Sequence, residues 1–401
     1  MAPTRKTDTN DRENRGRHRS RYEESIRRHK IRKALYFGLG IVLLIVVIVA
    51  IKVTGDTKKY TTYKVKKSVD RSVSADAGCM AYAGSVLTYS VDGASCMDTN
   101  GSQIWNITYQ MQNPLVDIRG EYVAIGDYNG DTLYVMNKSG KQGEIAVPMP
   151  IRRFSISANG YVAVITGNTS GQAIYVYSRS GEQVGYFHVT MKDSGYPFDI
   201  SVSDQGKLIA VEYLYIEEAV SREGYMSRVA FYNFGSVGRN FNDQYVSGYD
   251  YSGEVIGCLK YMNDKNSFSL SPDRLVFYSG KEIPKTCKEI PLEREIRNYY
   301  YSDSYVALVS DSETSDHRYQ VDVYSINGRK GSFQIDIQYD EIVFRGGYCL
   351  VYNNAECAVY SVSGQKIFQG FFDINVSLAM LNSKNSITIV SKDNIEVLQL
   401  K

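Results

Sequence analysis

The amino-acid sequence predicts an all-β fold, an eight-bladed β-propeller, behind a single N-terminal transmembrane helix. Three observations support this prediction: an uncharged apolar run near the N-terminus, short segments rich in Val, Ile, Tyr and Thr after it, and a strand–turn–strand pattern with a glycine in its turn. The glycines of this pattern, 36 to 54 residues apart, are Gly101, Gly140, Gly181, Gly235, Gly280, Gly328 and Gly364. Four strands in each repeat of about 40 residues are typical of a propeller, in which neighbouring blades bury each other's faces.

The apolar run extends from Ala34 to Ile51 without a charge. As an α-helix it would be about 27 Å long, close to the roughly 30 Å of a hydrocarbon core, and Lys52 can reach the interface. A cleavable signal peptide is the alternative, but its apolar core is usually about 7–15 residues and ends in a cleavage site of small residues. We therefore expect an uncleaved anchor. The predicted domains are a basic tail (1–33), a transmembrane helix (34–53), a linker (54–59) and a propeller ectodomain (60–401).

The charge of the chain is distributed unevenly. Residues 1–33 contain twelve Lys or Arg and five Asp or Glu, so the rest of the chain is acidic although the whole carries +2. An acidic large domain argues against nucleic acid as a partner. Because basic flanks stay on the cytoplasmic side, we expect the N-terminus in the cytoplasm, residues 34–53 in the cytoplasmic (cell) membrane, and the propeller outside.

The end of the chain predicts how the ring closes. The last repeat, residues 376–401, has room for only three strands, whereas the first strand after the linker, residues 60–67, has no blade of its own. If that strand completes the last blade, seven repeats become eight blades. Seven blades is the alternative, in which the irregular stretch 240–262 is an insertion. In each blade the glycine turn is interpreted as the hairpin between the third and fourth strands.

Two short motifs carry a resemblance to known propellers. Residues 97–105, MDTNGSQIW, resemble the D-x-x-T-G-x-x-x-W turn of pyrroloquinoline-quinone-like (PQQ-like) propellers with one residue fewer before the glycine. Residues 154–160, FSISANG, resemble the F-S-x-x-x-x-G entry of WD40-like blades. The architecture is similar to a family of membrane-anchored envelope proteins of unknown function from Gram-positive bacteria. The resemblance covers residues 60–401 and implies architecture alone. It implies no cofactor, because the chain has one Trp and no adjacent cysteines.

The sequence contains none of the common catalytic motifs. No G-x-S-x-G, H-E-x-x-H, C-x-x-C or P-loop pattern occurs. The acidic turn Asp127–Asp131 has its glycine at the fourth position rather than the sixth of a calcium loop, so a hairpin is expected there and no metal. We therefore predict no catalytic residues and a non-enzymatic protein.

The predicted function is that of a membrane-tethered, extracytoplasmic binding or scaffold module of the cell envelope. Its expected partner is an envelope protein or peptide. Two alternatives remain open. One is a ligand-sensing ectodomain that signals through the anchor, and the other is a propeller enzyme whose acids come from different blades and meet in the axial funnel.

Two long second-to-third-strand connections predict the binding face. Blade four carries an insert over residues 213–227, blade six carries one over 310–319, and both should rise from the same face. Long loops on a rigid scaffold are where binding residues concentrate. The candidate contacts are Tyr213, Tyr215, Glu217, Arg222, Tyr225, Asp311, Asp316 and His317. The alternative is that both inserts are tolerated surface loops without a partner.

Six cysteines in a domain expected outside the cell predict disulfides. A hairpin centred on Asn353 would place Cys349 and Cys357 on the same face of neighbouring strands, close enough for a bridge. The remaining candidate pairs are the local ones, Cys79–Cys96 and Cys258–Cys287. Six buried free thiols are the alternative.

Overall fold

The computed structural model describes residues 36–38, 40–44, 58–71, 77–169, 171–189, 195–216 and 224–401. It divides into two compact units, residues 1–59 and 60–401. In the first unit, residues 36–38 and 40–44 are helical. Among the described residues, no helix has both the length and the apolar composition that a membrane crossing requires. The basic tail and most of the predicted transmembrane segment 34–53 lie outside the described residues.

The second unit is an eight-bladed β-propeller, as predicted. Its described residues form 32 strands in eight four-stranded antiparallel sheets. The inner strands of most neighbouring blades contact one another, and the contact between β2 and β30 joins the first blade to the last. The seven-blade alternative is wrong, because the stretch 240–262 contains two ladder strands, β17 and β18, whose bounds follow.

Blades are numbered along the chain, and in blades one to seven the strands run in sequence order from the axis outwards. The strands of blades one to four are β2 (Gly78–Tyr82), β3 (Ser85–Tyr89), β4 (Gly93–Met97), β5 (Gln103–Thr108), β6 (Pro114–Arg119), β7 (Tyr122–Asp127), β8 (Thr132–Asn137), β9 (Gly140–Ala146), β10 (Ile151–Ile156), β11 (Val162–Asn168), β12 (Gly171–Tyr177), β13 (Gln183–Val189), β14 (Tyr196–Val202), β15 (Leu208–Ile216), β16 (Tyr225–Asn233) and β17 (Tyr245–Ser252). Two short 3₁₀ helices, Gly238–Asn240 and Asn242–Gln244, connect β16 to β17.

The strands of blades five to eight are β18 (Cys258–Tyr261), β19 (Asn266–Leu270), β20 (Arg274–Ser279), β21 (Lys285–Pro291), β22 (Ile296–Tyr301), β23 (Val306–Asp311), β24 (Tyr319–Ser325), β25 (Gly328–Ile335), β26 (Glu341–Arg345), β27 (Tyr348–Tyr352), β28 (Glu356–Ser361), β29 (Lys366–Phe371), β30 (Leu378–Ser383), β31 (Ser386–Val390), β32 (Asn394–Leu400) and, from the start of the propeller, β1 (Tyr63–Asp70).

The ring closes through β1, as the sequence predicts. β1 is the outer strand of blade eight and pairs with β32 from Tyr63 opposite Leu400 to Asp70 opposite Asn394. The N–H of Lys401 also donates to the carbonyl of Thr62 at 2.8 Å. The first and last strands of the propeller are therefore held together by a sheet ladder.

The recurring glycines lie in the hairpins between third and fourth strands, as predicted. Gly181 and Gly364 show why glycine is needed there. Both have left-handed φ angles, +92° and +100°, which side chains disfavour. A Cβ would also lie 2.6 Å from the carbonyl oxygen of Glu144 and 2.3 Å from that of Ser332, each in the preceding blade. The turn glycine thus permits both the hairpin and the close approach of neighbouring blades.

All six cysteines are free thiols in the structure. The hairpin of blade seven places Cys349 opposite Tyr360 and Cys357 opposite Tyr352, so the two thiols lie on opposite faces of the sheet and pack into different hydrophobic clusters. The predicted bridge between them is wrong because the turn is centred more than one residue beyond Asn353. The other two predicted pairs do not fit either. β3 separates Cys79 from Cys96, and two strands separate Cys258 from Cys287.

Candidate functional site

The propeller has two faces that are defined by strand direction. The turn face carries the connections after first and third strands. The insert face carries the connections after second and fourth strands, including the two long ones predicted from the sequence, between β15 and β16 and between β23 and β24. Because all eight blades run in the same sense, these two connections emerge on the same face.

The predicted contacts of blade four do not form one exposed patch. Tyr213 is only 2% exposed, and its hydroxyl lies 2.9 Å from that of Tyr232. It is a core residue rather than a surface contact, because it belongs to the ladder of β15 and not to the connection. Tyr215 is half-buried and Tyr225 is 45% exposed. Two further predicted contacts, Glu217 and Arg222, lie outside the described residues.

Tyr213 and Tyr215 line a cavity of about 460 Å³ between blades three and four. Arg228 crosses it, with its guanidinium 5.1 Å from the centre of the Tyr215 ring and Nη1 donating to the Tyr215 hydroxyl at 2.9 Å. Asp250 holds the other side of the guanidinium in a bidentate pair. The guanidinium of Arg228 is therefore already paired with groups of its own blade. The cavity between the two blades is lined mainly by aromatic side chains.

The predicted contacts of blade six lie at the other long connection. Asp311 forms a bidentate pair with Arg297, which lowers the pKa of the aspartate. The imidazole Nδ1 of His317 lies 2.9 Å from an oxygen of Asp336, and Asp316 is exposed. Blade five stands between the two connections in the ring, so the structure does not bring the two sets of residues together.

A cavity on the propeller axis was not predicted from the sequence. It has a volume of about 350 Å³, and the inner strands β6, β10, β14, β18 and β22 of blades two to six form its wall. It runs from Leu115, Tyr128 and Arg152 at the insert face to Arg119 and Tyr301 near the turn face. Its ionisable Asp, Lys and Arg residues are Asp117, Arg119, Arg152, Arg153 and Lys260.

Asp199 organises the cations behind this wall. It is 1% exposed, and it accepts hydrogen bonds from Arg153 Nη1 at 2.9 Å and from Lys260 Nζ at 2.8 Å. The backbone N–H groups of Ile200 and Leu259 complete its coordination at 2.9 and 3.1 Å. Burial alone would raise the pKa of Asp199, but the neighbouring Lys260 and Arg153 charges prevail and lower it. One carboxylate thus serves two cations from the neighbouring blades.

Glu212 lies opposite Asp199 on the adjacent strand β15. The side chain of Glu212 is fully buried, and neither carboxyl oxygen has a hydrogen-bond partner among the described residues. Burial, followed by the charge of Asp199, raises the pKa of Glu212 to about 8. It therefore holds its proton at neutral pH, so it does not neutralise Arg153 or Lys260.

The wall of the cavity is held by hydrogen bonds from the side chains of one blade to the backbone of the next. Asp117 accepts from the N–H of Ile156 at 2.7 Å, and its burial at this position raises its pKa. The same contact recurs as Ser155 with the N–H of Val202 at 3.3 Å, and again from blade four to blade five. These contacts fix the inner strands relative to one another, so the cations lining the cavity sit on rigid elements.

A second axial cavity, of about 880 Å³, adjoins the first. The two share Ile118, Arg119 and Tyr301 in their walls. Arg119 stands at this junction and donates from Nε to Asp204 Oδ1 at 2.6 Å. Its charge is therefore balanced locally, which distinguishes it from Arg153 and Lys260.

The sequence carries a signal for this site. First strands contain polar or charged residues among apolar ones, as in PLVDIR (114–119) and CLKY (258–261), and Glu212 interrupts the apolar second strand LIAVEYLYI (208–216). In a single strand these residues are indistinguishable from an ordinary solvent-facing position. Only the ring geometry shows that they converge on one axis.

A family model matches residues 56–400, and its description is a family of unknown function, DUF5711. The chain belongs to this family. Among functionally curated proteins no sequence matches this DUF5711 chain.

Solved propellers are similar to the DUF5711 chain in fold. The Dos1 propeller has a TM-score of 0.51 at 11% identity, with 84% of this chain and 95% of that chain covered. Apo AztD from Citrobacter koseri has a TM-score of 0.50 at 10% identity, covering 75% and 87%. BamB from Moraxella catarrhalis has a TM-score of 0.48 at 12% identity, covering 84% and 100%. At these identities the likeness shows the fold alone. The predicted resemblance to a propeller family of unknown function is confirmed, whereas its membrane-anchored envelope character stays a prediction.

Proposed function

We propose that this DUF5711 protein is a non-enzymatic binding module whose insert face binds a protein or peptide partner. In this proposal a transmembrane helix over residues 34–53 tethers it to the cytoplasmic membrane, with the N-terminus in the cytoplasm and the propeller outside. The tethering is supported by the apolar run and its basic flank. Tyr225, Asp311, Asp316 and His317 remain proposed contacts, with Glu217 and Arg222.

The observation that carries the binding proposal is a set of exposed apolar side chains at the insert face, where the axial cavity begins. They come from blades two and four and from the connection to blade five, and are Leu115, Tyr128, Tyr196, Phe198, Tyr225 and Val255. Large aromatic and apolar side chains on a rigid surface are what protein interfaces use as anchors. The inter-blade hydrogen bonds hold this surface in a fixed geometry before any partner arrives.

The start of β1 shows at which face the propeller begins. β1 begins at Tyr63 on the turn face, because it runs antiparallel to β32. The chain therefore enters the propeller at the face opposite to the exposed apolar set. The proposed membrane topology can be tested by proteolysis. Protease added to intact spheroplasts should digest the propeller and spare a tag on the tail. Protection of the propeller would contradict the topology.

A propeller enzyme with an axial site is the second candidate, and the Asp199–Glu212 pair favours it. Two neighbouring carboxyls with pKa values displaced in opposite directions can act as base and acid. However, Asp199 and Glu212 are almost completely buried, and neither lines the axial cavity. A general acid or base must come within hydrogen-bond reach of the reacting group. The geometry therefore favours binding over catalysis.

The binding proposal can be tested with two matched variants of blade four. Tyr225→Ala removes an exposed aromatic ring from the insert face, and Phe241→Ala removes one from the turn face. The full-length protein and both variants would capture partners from envelope extract, with quantification by mass spectrometry. We expect Tyr225→Ala to reduce capture of a specific partner at least several-fold without changing the melting temperature, while Phe241→Ala leaves capture unchanged. If partner capture fell equally in both variants, or in neither, the insert face would not be the binding face.

A further inference from the structure

We propose that the axial cavity binds the carboxylate groups of an acidic peptide segment, and that Arg152, Arg153 and Lys260 are the cations that contact them. This inference rests on the proposed function, because it assigns the chemistry of the partner that the insert face would bind.

The dimensions of the cavity suit such a ligand. At about 350 Å³ it lies at the lower end of the range of small-ligand pockets, roughly 300–1,000 Å³, enough for a few side chains rather than a folded domain. Its wall consists of inner strands that are cross-linked by hydrogen bonds from Asp117 and Ser155 to the backbone of the next blade. A peptide would therefore meet preformed contacts and would not need to order the receptor.

The charge of the cavity wall favours an anion. Four cationic side chains line it against one carboxyl, Asp117. Behind the wall, Asp199 is the single ionised partner of both Arg153 and Lys260, since Glu212 is protonated at neutral pH. Arg119 is balanced by Asp204. The other three cations of the wall face two carboxyls, Asp117 and Asp199, so one positive charge remains in excess even with both carboxyls ionised.

Arg153 has the donors that a carboxylate requires. Its side chain is 47% exposed although it lines the cavity, and among the described residues its guanidinium makes one hydrogen bond, from Nη1 to Asp199. The remaining N–H groups are available. A guanidinium binds carboxylate through two parallel hydrogen bonds, which gives both strength and direction. Asp199 fixes the orientation of Arg153 from behind and thereby acts as a positioning residue.

The entrance of the cavity favours a peptide over a free inorganic anion. Leu115 and Tyr128 line its insert-face end and are more than one-third exposed. Apolar side chains at the entrance can pack against the backbone or an apolar side chain of a peptide, whereas inorganic phosphate gains nothing from them. An acidic segment could therefore place its carboxylates among the cations and its flanking residues against the rim.

The test measures the fluorescence anisotropy of a labelled hexaglutamate peptide that is titrated with the full-length protein at low and at physiological salt. Hexaglutamine of the same length is the uncharged control. We expect saturable binding of hexaglutamate that weakens as salt rises, and no binding of hexaglutamine. Arg153→Gln should weaken binding at least tenfold and Arg152→Gln several-fold. Arg239→Gln, a change at an exposed arginine outside the cavity, should leave it unchanged.

Asp117→Asn provides a variant that should not weaken binding. It removes the only carboxyl among the described lining residues, so it should leave hexaglutamate binding equal or tighter, and melting temperatures would identify any variant that fails to fold. The inference is overturned if Arg153→Gln and Arg239→Gln bind hexaglutamate equally, if no binding occurs, or if inorganic phosphate competes as well as unlabelled hexaglutamate. In those cases the proposed function would still stand if Tyr225→Ala alone abolished partner capture.

Discussion

Asp199 and Glu212 lie directly opposite each other in the β14–β15 ladder, and their pKa values are displaced in opposite directions. Asp199 is stabilised as an anion by Lys260 and Arg153, despite its burial. Glu212 is buried without a hydrogen-bond partner for either oxygen, beside an existing negative charge. Asp199 is therefore ionised and Glu212 stays protonated. Only one negative charge, not two, then lies behind the cations of the axial wall.

The first prediction concerns the pH dependence of Glu212. Its folded-state pKa of about 8 lies above the ordinary value of 4.5, so the folded protein binds a proton that the unfolded chain has lost between these pH values. The stability contributed by this group is therefore fully present below about pH 4.5 and is lost progressively as pH rises towards 8, by up to about 1.4 kcal/mol per pH unit. Glu212→Gln cannot lose a proton, so its stability relative to the wild type should increase across this window.

Urea unfolding of both proteins at pH 5, 6, 7, 8 and 9 measures this difference. The difference should level off above about pH 8, where Glu212 is ionised in both states. Glu341→Gln is a graded comparison, because burial also raises the pKa of Glu341 although its side chain is exposed, so its stability relative to the wild type should increase less across the same window. Wild type and Glu212→Gln with parallel stability profiles would show that the pKa of Glu212 is not raised.

The second prediction concerns the loss of Asp199. Asp199→Ala leaves Lys260 and Arg153 without their shared carboxylate and two backbone N–H groups without an acceptor. Removing one partner of a buried ion pair typically costs about 3–5 kcal/mol. We expect a loss of that size at pH 7 in chemical denaturation. Asp311→Ala breaks the exposed pair with Arg297, whose charges are screened by solvent, and should leave stability nearly unchanged. Similar losses in the two variants would contradict the organising role of Asp199.

The sequence predicted the ring more completely than the site. Turn glycines, strand composition and the incomplete last repeat were sufficient for eight blades and for closure by β1, because these features follow from local backbone chemistry. The axial cavity depends on five first strands meeting across the ring, and no local pattern shows which side of a strand faces the axis. The error over Tyr213 has a similar cause, because the ladder of β15 extends further into the predicted insert than its composition indicated.

The third prediction concerns the thiols. Since all six cysteines are free, the unfolded protein prepared without reductant should give six thiols per chain in an Ellman assay. In the native protein Cys287 should react first, because it is the one cysteine that is classed as exposed. Partial burial of its thiol raises its pKa, which slows the reaction without preventing it. Cys349 and Cys357 are buried and should react only on unfolding. Fewer than six thiols in the unfolded chain would indicate a disulfide. The pairing of the strands that carry the bridged cysteines would then be wrong.

The last prediction tests why glycine recurs in the third-to-fourth-strand hairpins. Gly364→Ala must place a Cβ at a φ of +100°, and this atom would lie 2.3 Å from the carbonyl oxygen of Ser332 in blade six. The substitution therefore combines an unfavourable backbone conformation, about 1–3 kcal/mol, with a clash that only a shift of one blade against the next can relieve. Gly347→Ala is the matched control in the same blade, because Gly347 has no positive φ and no atom within 4 Å of the added Cβ. Chemical denaturation should show a loss of at least about 2 kcal/mol for Gly364→Ala and a change of less than about 1 kcal/mol for Gly347→Ala. Equal stability of the two variants would mean that neither the turn conformation nor the contact between the blades requires glycine at position 364.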